Sequence, residues 1–351
     1  MIVKNEQAVI RRCLETVKPI IDYWVIVDTG SWDNTRPIIQ DCLKDIPGEL
    51  HESAWVNFAH NRNIALGLAK NKSDYILFID ADETLLFYDS FDKNRLDKDF
   101  YFALKTGQRA ECQCALLIRS DPGWRWEGVI HEYITHSHPM VGDVLNELAV
   151  DCSHKEGHRS QDSQKALNDA QMLEEALKKD PDNGRYVFYL AQSYANAKKH
   201  DRALENYKKR VSMGGNEDEI FWSLYCIASI QEYFKMDFQT IVDGYCQAYC
   251  FKPSRAEPLY RLAAYFQTTG HPLMGYLTAR LGTQLPIPRQ TMKLQKWIYD
   301  YGFRLKHAEL SHAIGHREEA LRSFKTLLAQ KECPESVKKE IVDFRNDRQI
   351  F

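Results

Sequence analysis

The chain has 351 residues, 44% of them apolar and 27% charged, with a formal net charge of −3. That length is generous for one domain and comfortable for two. The near-neutral charge gives no electrostatic reason to expect nucleic acid as a partner. No run approaches the roughly 18 apolar residues of a membrane span, and "MIVKNEQAVIRR" lacks the basic-then-apolar layout of a signal peptide. The chain therefore reads as cytoplasmic, although a non-cleaved secretion signal would leave no such trace and a secreted effector stays open. The nine cysteines, at 13, 42, 112, 114, 152, 226, 246, 250 and 333, are odd in number and irregular in spacing. They read as reduced thiols, and Cys112 and Cys114 lack the partner pair a metal site needs.

In chain order, the first ~155 residues alternate strand and helix signals. "MIVKN", "WVIVDTG" and "YILFIDA" are short apolar runs closed by polar residues or glycine, the pattern of strands buried on both faces. Helical patterns over Glu6–Val17, Asn34–Cys42 and Asn61–Ala69 lie between them, with Asp33 or Asn34 as an N-cap. The alternation predicts a mostly parallel sheet with helices on its faces. Ligands bind such sheets beyond the strands' carboxyl ends, where Asp28 and Asp80 fall. The mixed-charge stretch from Tyr88 reads as a solvated loop or a lid.

From about Ser160 the strand signals vanish and helix pairs repeat. Ala191 and Tyr194, then Ala203 and Tyr207, end at Gly214 and Gly215; the pattern recurs with Ala228, Tyr245 and Ala248, with Ala263 and Phe266, and loosely with Ala308, Ala320 and Phe324. Ala191, Ala228 and Ala263 are spaced by 37 and 35 residues. This resembles the tetratricopeptide repeat, whose period is about 34 residues. A generic helical bundle is the plainer alternative.

The decisive stretch is "SDYILFIDADETLL", a buried strand running into Asp80, Asp82 and Glu83. Read alone, it matches the first motif of haloacid-dehalogenase-type phosphatases, with Asp80 as nucleophile and Asp82 as general acid. That motif usually sits on the first strand of its fold, and here at least two strands precede it. Taken with its neighbours, it resembles the Asp-x-Asp element of family 2 glycosyltransferases of the GT-A fold. "MIVKNEQAVIRRCLETV" resembles their opening strand and helix, "WVIVDTGSWDNT" their second strand and turn, and "FAHNRNIALGLAKNKSDYILFIDADE" their third helix and metal strand. Members usually carry a few apolar residues ahead of "MIVKNE", so a short first strand is expected. Some relatives join this domain to tetratricopeptide repeats and glycosylate peptides on cysteine or serine.

The resemblance implies a GT-A domain over 1–155 and a tetratricopeptide-like solenoid over 156–351. It implies transfer of a hexose from a nucleotide-sugar, UDP-glucose or UDP-N-acetylglucosamine first, with Mn²⁺ or Mg²⁺ neutralising the departing diphosphate. Val3, Asn5, Glu6, Asp28, Arg62 and Asp80 would then contact the nucleotide. Asp82, Asp80 and His131 of "GWRWEGVIHEYITHSHP" would hold the metal. An inverting transfer needs a base, and Glu132, then Glu127, with Asp121 behind them, are the candidates; without one, retention becomes possible. The resemblance also implies a protein or peptide acceptor held by the repeats, a saccharide or lipid-linked glycan being the alternative. A homodimer built on the repeats, or an inactive scaffold, stays open.

Overall fold

The computed structural model describes residues 1–107, 111–154, 156–288, 292–331 and 333–347. It divides into two compact units, Met1–Lys199 and His200–Phe351. Strands β1 (Ile2–Val3), β2 (Trp24–Asp28) and β3 (Gly48–Glu52) form a parallel sheet in that order. Helices α1 (Ile10–Val17) and α2 (Thr35–Cys42) make the crossovers. In α1 the buried side chains are Ile10, Cys13, Leu14 and Val17, the i, i+3, i+4, i+7 spacing of one helix face. They join Ile26, Ile39 and Leu43 in one core.

Helix α1 starts later than the sequence pattern predicts. Asn5 adopts a left-handed conformation, φ 57°, which asparagine tolerates better than most residues. The chain thereby turns at the end of β1, and the Asn5 and Glu6 amides donate to Ser31 Oγ and Thr35 Oγ1 at 2.9 and 2.7 Å. Asp33 caps α2 through its Oδ1, which accepts from the Thr35 amide at 3.0 Å. Asn34, at the N-cap position, makes no side-chain bond there.

Helix α3 (Phe58–Ala69) is capped by the Asn57 side chain. It leads to a second sheet of β4 (Tyr75–Leu77), β5 (Thr84–Phe87), β6 (Phe100–Thr106), β7 (Glu111–Arg119) and a long strand at Gly142–Asp151, ordered β4-β7-β6-long strand-β5. Between them, β8 (Trp124–Glu127) and β9 (Tyr133–His136) make a separate hairpin, so the long strand is β10. Parallel pairing holds in β1–β3 and between β6 and β10; the other pairs of the second sheet are antiparallel. The mixed-charge stretch from Tyr88 contains a 3₁₀ turn, Lys93–Arg95, and runs into β6.

Sheet gives way to helix between Asp151 and His158. Helices α4 (His158–Gln161), α5 (Lys165–Lys179) and α6 (Gly184–Asn196) belong to the first compact unit. They are tied to it by such contacts as the Arg159 guanidinium 4.4 Å from the Phe58 ring.

The second unit is helical: α7 (His200–Ser212), α8 (Glu217–Tyr233), α9 (Phe238–Phe251), α10 (Glu257–Thr268), α11 (Pro272–Gly282), α12 (Phe303–Ala313), α13 (Arg317–Ala329) and α14 (Glu335–Asp347). Ala203, Ala228, Ala248, Ala263, Ala279, Ala308 and Ala320 are fully buried. Small side chains there let helix axes approach, while Tyr207, Tyr245, Phe266 and Phe324 fill the spaces between helices. Gly214 and Gly215 both take positive φ, 68° and 85°, as the turn from α7 into α8 requires. The buried Arg210 closes the same turn, its Nε 2.9 Å from Glu219 Oε2 and its Nη1 2.6 Å from the Gly214 carbonyl.

Among the described residues no helix is long and apolar enough to cross a membrane. None of the cysteines whose side chains are described is in a disulfide, and the Cys112 side chain lies outside them.

A methyl group at Gly282 of α11 would run into the buried Phe303 ring. Gly282→Ala is expected to cost about 1–3 kcal/mol, as overpacking ordinarily does. Urea unfolding followed by far-ultraviolet dichroism would measure the loss; an unchanged midpoint would contradict this packing.

Candidate active site

The carboxyl ends of β1, β2 and β4 carry the residues that the sequence singles out. Val3 pairs with Asp28 across β1 and β2. The Val3 carbonyl is taken by Thr29, whose amide and hydroxyl both donate to it at 2.9 and 3.0 Å. The Asn5 side chain accepts from the Trp32 amide at 3.0 Å. Val3 and Asn5 thus hold the loop that follows β2. Asp28 is buried, and its Oδ1 accepts from the Gly30 and Ser31 amides, both at 2.7 Å. Its Oδ2 is also buried and has no hydrogen-bond partner among the described residues. A buried carboxylate oxygen with no donor is costly, so a ligand N–H or O–H fits there.

After β4 the chain makes a tight acidic turn. The Glu83 amide donates to the Asp80 carbonyl at 3.1 Å, and Glu83 Oε2 accepts from the Asp80 amide at 3.0 Å. Lys105, from β6, pairs with Glu83. Arg62 of α3 reaches across, with Nη2 2.7 Å from Asp80 Oδ1 and Nε 2.5 Å from Glu132 Oε1. Its guanidinium also lies 5.1 Å from the Trp126 ring. Burial pushes the Asp80 carboxyl up, but Arg62 and then Lys105 outweigh it and hold the group below its usual range. Asp82 goes the other way, raised by burial and then by the Asp80 charge. Glu6 is raised to about 7, first by burial and then by Asp82, Asp33 and Asp80, against one hydrogen bond from the His158 amide.

Asp82 and Glu6 are therefore two carboxyls that burial and neighbouring negative charge disfavour as ions, with Lys105 and Lys165 acting against this at Asp82. Among the described residues no three His, Cys, Asp or Glu side chains converge as a ready metal cage. Such a site fits a hard divalent cation held by one or two carboxylates together with a ligand's phosphates, the ordinary mode for Mg²⁺.

The stretch around residue 131 splits its candidates. His131 has φ 52°, its carbonyl accepts from Arg185 Nη2 at 2.8 Å, and its ring stacks on Tyr189 of α6 at 3.9 Å. Glu132 turns inward to Arg62. Glu127 is engaged by Arg125, Tyr133 and Thr135, and Arg125 above all holds its carboxyl below the usual range. Asp121 accepts from His136 Nε2 at 2.8 Å. Trp124 and Trp126 both line a cavity of about 670 Å³ that reaches Arg62, Asp80 and Glu132. Sequence reading missed Lys105, Glu83 as an organiser of the acidic turn, and Arg185. Lys105 and Arg185 stand far along the chain from the residues they hold, in stretches with no motif.

With this geometry in view, residues 1–89 match the family model described as glycosyl transferase family 2. The SPbeta prophage-derived glycosyltransferase SunS of Bacillus subtilis is 24% identical over 228 residues, which cover 60% of this chain and 52% of SunS. A TPR repeat-containing protein of Synechococcus elongatus is 30% identical over 145 residues, 39% of this chain and 35% of that protein. An uncharacterized glycosyltransferase of Rickettsia felis is 35% identical over 85 residues, 24% of this chain and 28% of its own length. This chain thus spans about half, or less, of the length of these curated relatives. A solved tetratricopeptide repeat protein of Parabacteroides merdae aligns with 53% of this chain and 68% of its own at 17% identity, with a TM-score of 0.41. Over residues 1–89 the chain is thus similar to family 2 glycosyltransferases, and the helical hairpins that follow resemble tetratricopeptide repeats.

A carboxyl whose folded pKa lies above its ordinary value favours the protonated state on folding. Stability contributed by Glu6 should therefore be full below about pH 4.5 and decline as pH rises to about 7. The half-buried position screens the effect, leaving about 1–2 kcal/mol. Thermal unfolding of the metal-free protein between pH 5 and 8 should show a steeper loss in the wild type than in Glu6→Gln. Equal slopes would contradict the electrostatics described here.

Proposed function

We propose that this protein is a metal-dependent glycosyltransferase that moves a sugar from a nucleotide-sugar, most simply a UDP-sugar, to a protein or peptide. The observation that carries this reading is the set at the strand ends: Asp28 with an unpartnered buried Oδ2, and Asp82 beside an Asp80 that Arg62 holds. Asp28 Oδ2 accepts only, so it suits the imide N–H of a uracil base or a ribose hydroxyl. Asp82, Asp80 and Glu6 form the anionic ground for Mn²⁺ or Mg²⁺, which when bound neutralises the charge that grows on the departing diphosphate.

Arg62 takes Asp80 and makes no bond to Asp82, so Asp82 would be the principal carboxylate to hold the cation. Glu132 lines the cavity beside Asp80, and in this reading it receives the acceptor's proton. The proton leaves the acceptor atom as its bond to the anomeric carbon forms and the bond to the diphosphate oxygen breaks. His131 lies toward α6, and its place here is to fix the turn from which Glu132 projects. Helical hairpins offer extended surfaces that suit a peptide chain, and this supports a polypeptide acceptor over a saccharide. The SunS relative is itself described as a glycosyltransferase.

The test is release of nucleoside diphosphate from a panel of UDP- and GDP-sugars with Mn²⁺. One donor should be turned over, and Asp82→Asn should lower kcat by about 10²-fold or more, the scale of losing a principal electrostatic stabiliser. Chelation should abolish the activity. Hydrolysis of a generic phosphate ester without any nucleotide binding would return the phosphatase reading, and neither activity would leave an inactive scaffold.

A further inference from the structure

The turn between β8 and β9, residues 128–132, is held against the preference of its own backbone. Gly128 takes φ 101° and His131 takes φ 52°. The left-handed region favours glycine, and other residues stay there only where their surroundings fix them. Two helices fix this turn. From α3, Asn63 brackets the strand that leads in: its Nδ2 donates to the Trp126 carbonyl at 2.8 Å, and its Oδ1 accepts from the Trp126 amide at 2.7 Å. The Phe58 amide donates to the Val129 carbonyl at 3.3 Å, and Arg62 pairs with Glu132. None of these bonds is made by His131.

The hold on His131 comes from α6. Arg185 and Tyr189 stand four residues apart in that helix, on one face. Arg185 Nη2 donates to the His131 carbonyl at 2.8 Å. Its guanidinium lies 4.8 Å from the Tyr133 ring and 4.9 Å from the Tyr189 ring. Tyr189 in turn stacks on the His131 imidazole, with centroids 3.9 Å apart and planes 17° apart. Of three consecutive residues, the outer two, His131 and Tyr133, are thus gripped by α6, and the middle one, Glu132, reaches Arg62. The same helix opens the pattern of buried alanines and aromatics, through Ala191 and Tyr194.

We infer that Arg185 and Tyr189 are positioning residues for the transfer reaction, which makes the first helix of the repeat pattern part of the catalytic apparatus. They hold the backbone on either side of Glu132, and so set where its carboxylate stands. Without their contacts His131 relaxes toward negative φ and Glu132 turns with it. A shift of about 1 Å in a reacting group is enough to cost on the order of 10²-fold in rate. The inference rests on the function proposed above for the role of Glu132.

Arg185→Gln and Tyr189→Leu release the grip, and Tyr189→Phe keeps the stacked ring. Release of nucleoside diphosphate from the donor that wild type turns over should fall in kcat by roughly 10- to 100-fold in the first two. KM for that donor should stay within about 2-fold, because Asp28 and Asp82 stand outside the turn. Tyr189→Phe should recover most of the rate lost in Tyr189→Leu. In a Glu132→Gln background Arg185→Gln should add no further loss, since both act through one carboxylate. An equal further loss in that background, or a raised KM with kcat unchanged, would overturn the inference. Near-ultraviolet dichroism checks folding. Should Arg185→Gln not fold, Arg185→Lys replaces it, keeping the charge and losing the planar fork. If wild type turns over no nucleotide-sugar, the function proposed above fails. The grip is then judged by amide hydrogen exchange across residues 128–133: faster exchange in Arg185→Gln than in wild type supports it, and equal protection overturns it.

Discussion

The site hangs on one guanidinium. Arg62 projects from α3 and binds Asp80 through Nη2 and Glu132 through Nε, with the Trp126 ring against it. A buried cation is unfavourable unless its charge is met at close range. Here two carboxylates from distant parts of the chain supply that, one after β4 and one between β8 and β9. The same ion pairs that make the cation tolerable also fix where the two carboxylates stand. Geometry that would otherwise depend on three flexible side chains is set by the fork shape of one.

The surroundings follow from this. Burial raises both Asp82 and Glu6, and the ionised Asp80 adds to it, more for Asp82 than for Glu6. Glu83, which could have added to that excess, is occupied by Lys105 and by the Asp80 amide. The result is graded rather than uniformly negative. One carboxylate is paired with arginine and one with lysine, while Asp82 and Glu6 are raised.

Much of this was legible in the sequence where the signal is local. β1, β2 and β4 announce themselves as apolar runs, and Asp28 and Asp80 fall at their ends because strands finish where apolar runs do. The repeats were legible through buried alanines and aromatics, since close helix packing selects small residues at fixed spacing. β3, "GELHE", escaped notice because its side chains are only half-buried and carry charge. β6 escaped because a mixed-charge stretch precedes it. The helix from Glu6 was read too early, since the left-handed turn at Asn5 is stabilised by partners about 26 residues away that no local pattern records. The split at residues 131 and 132 was likewise invisible: His131 is settled by Arg185 and Tyr189 of a helix that follows much later.

Where the chain leaves the sheet for the helices it passes close over the acidic turn. Gly157 has ordinary dihedrals, φ −58° and ψ 146°, so nothing in its backbone calls for glycine. A Cβ added there would lie 2.8 Å from Asp82 Oδ2. The absent side chain is thus a matter of clearance, and the polypeptide itself forms a wall against one side of the carboxylate. Traffic to Asp82 is one-sided in consequence.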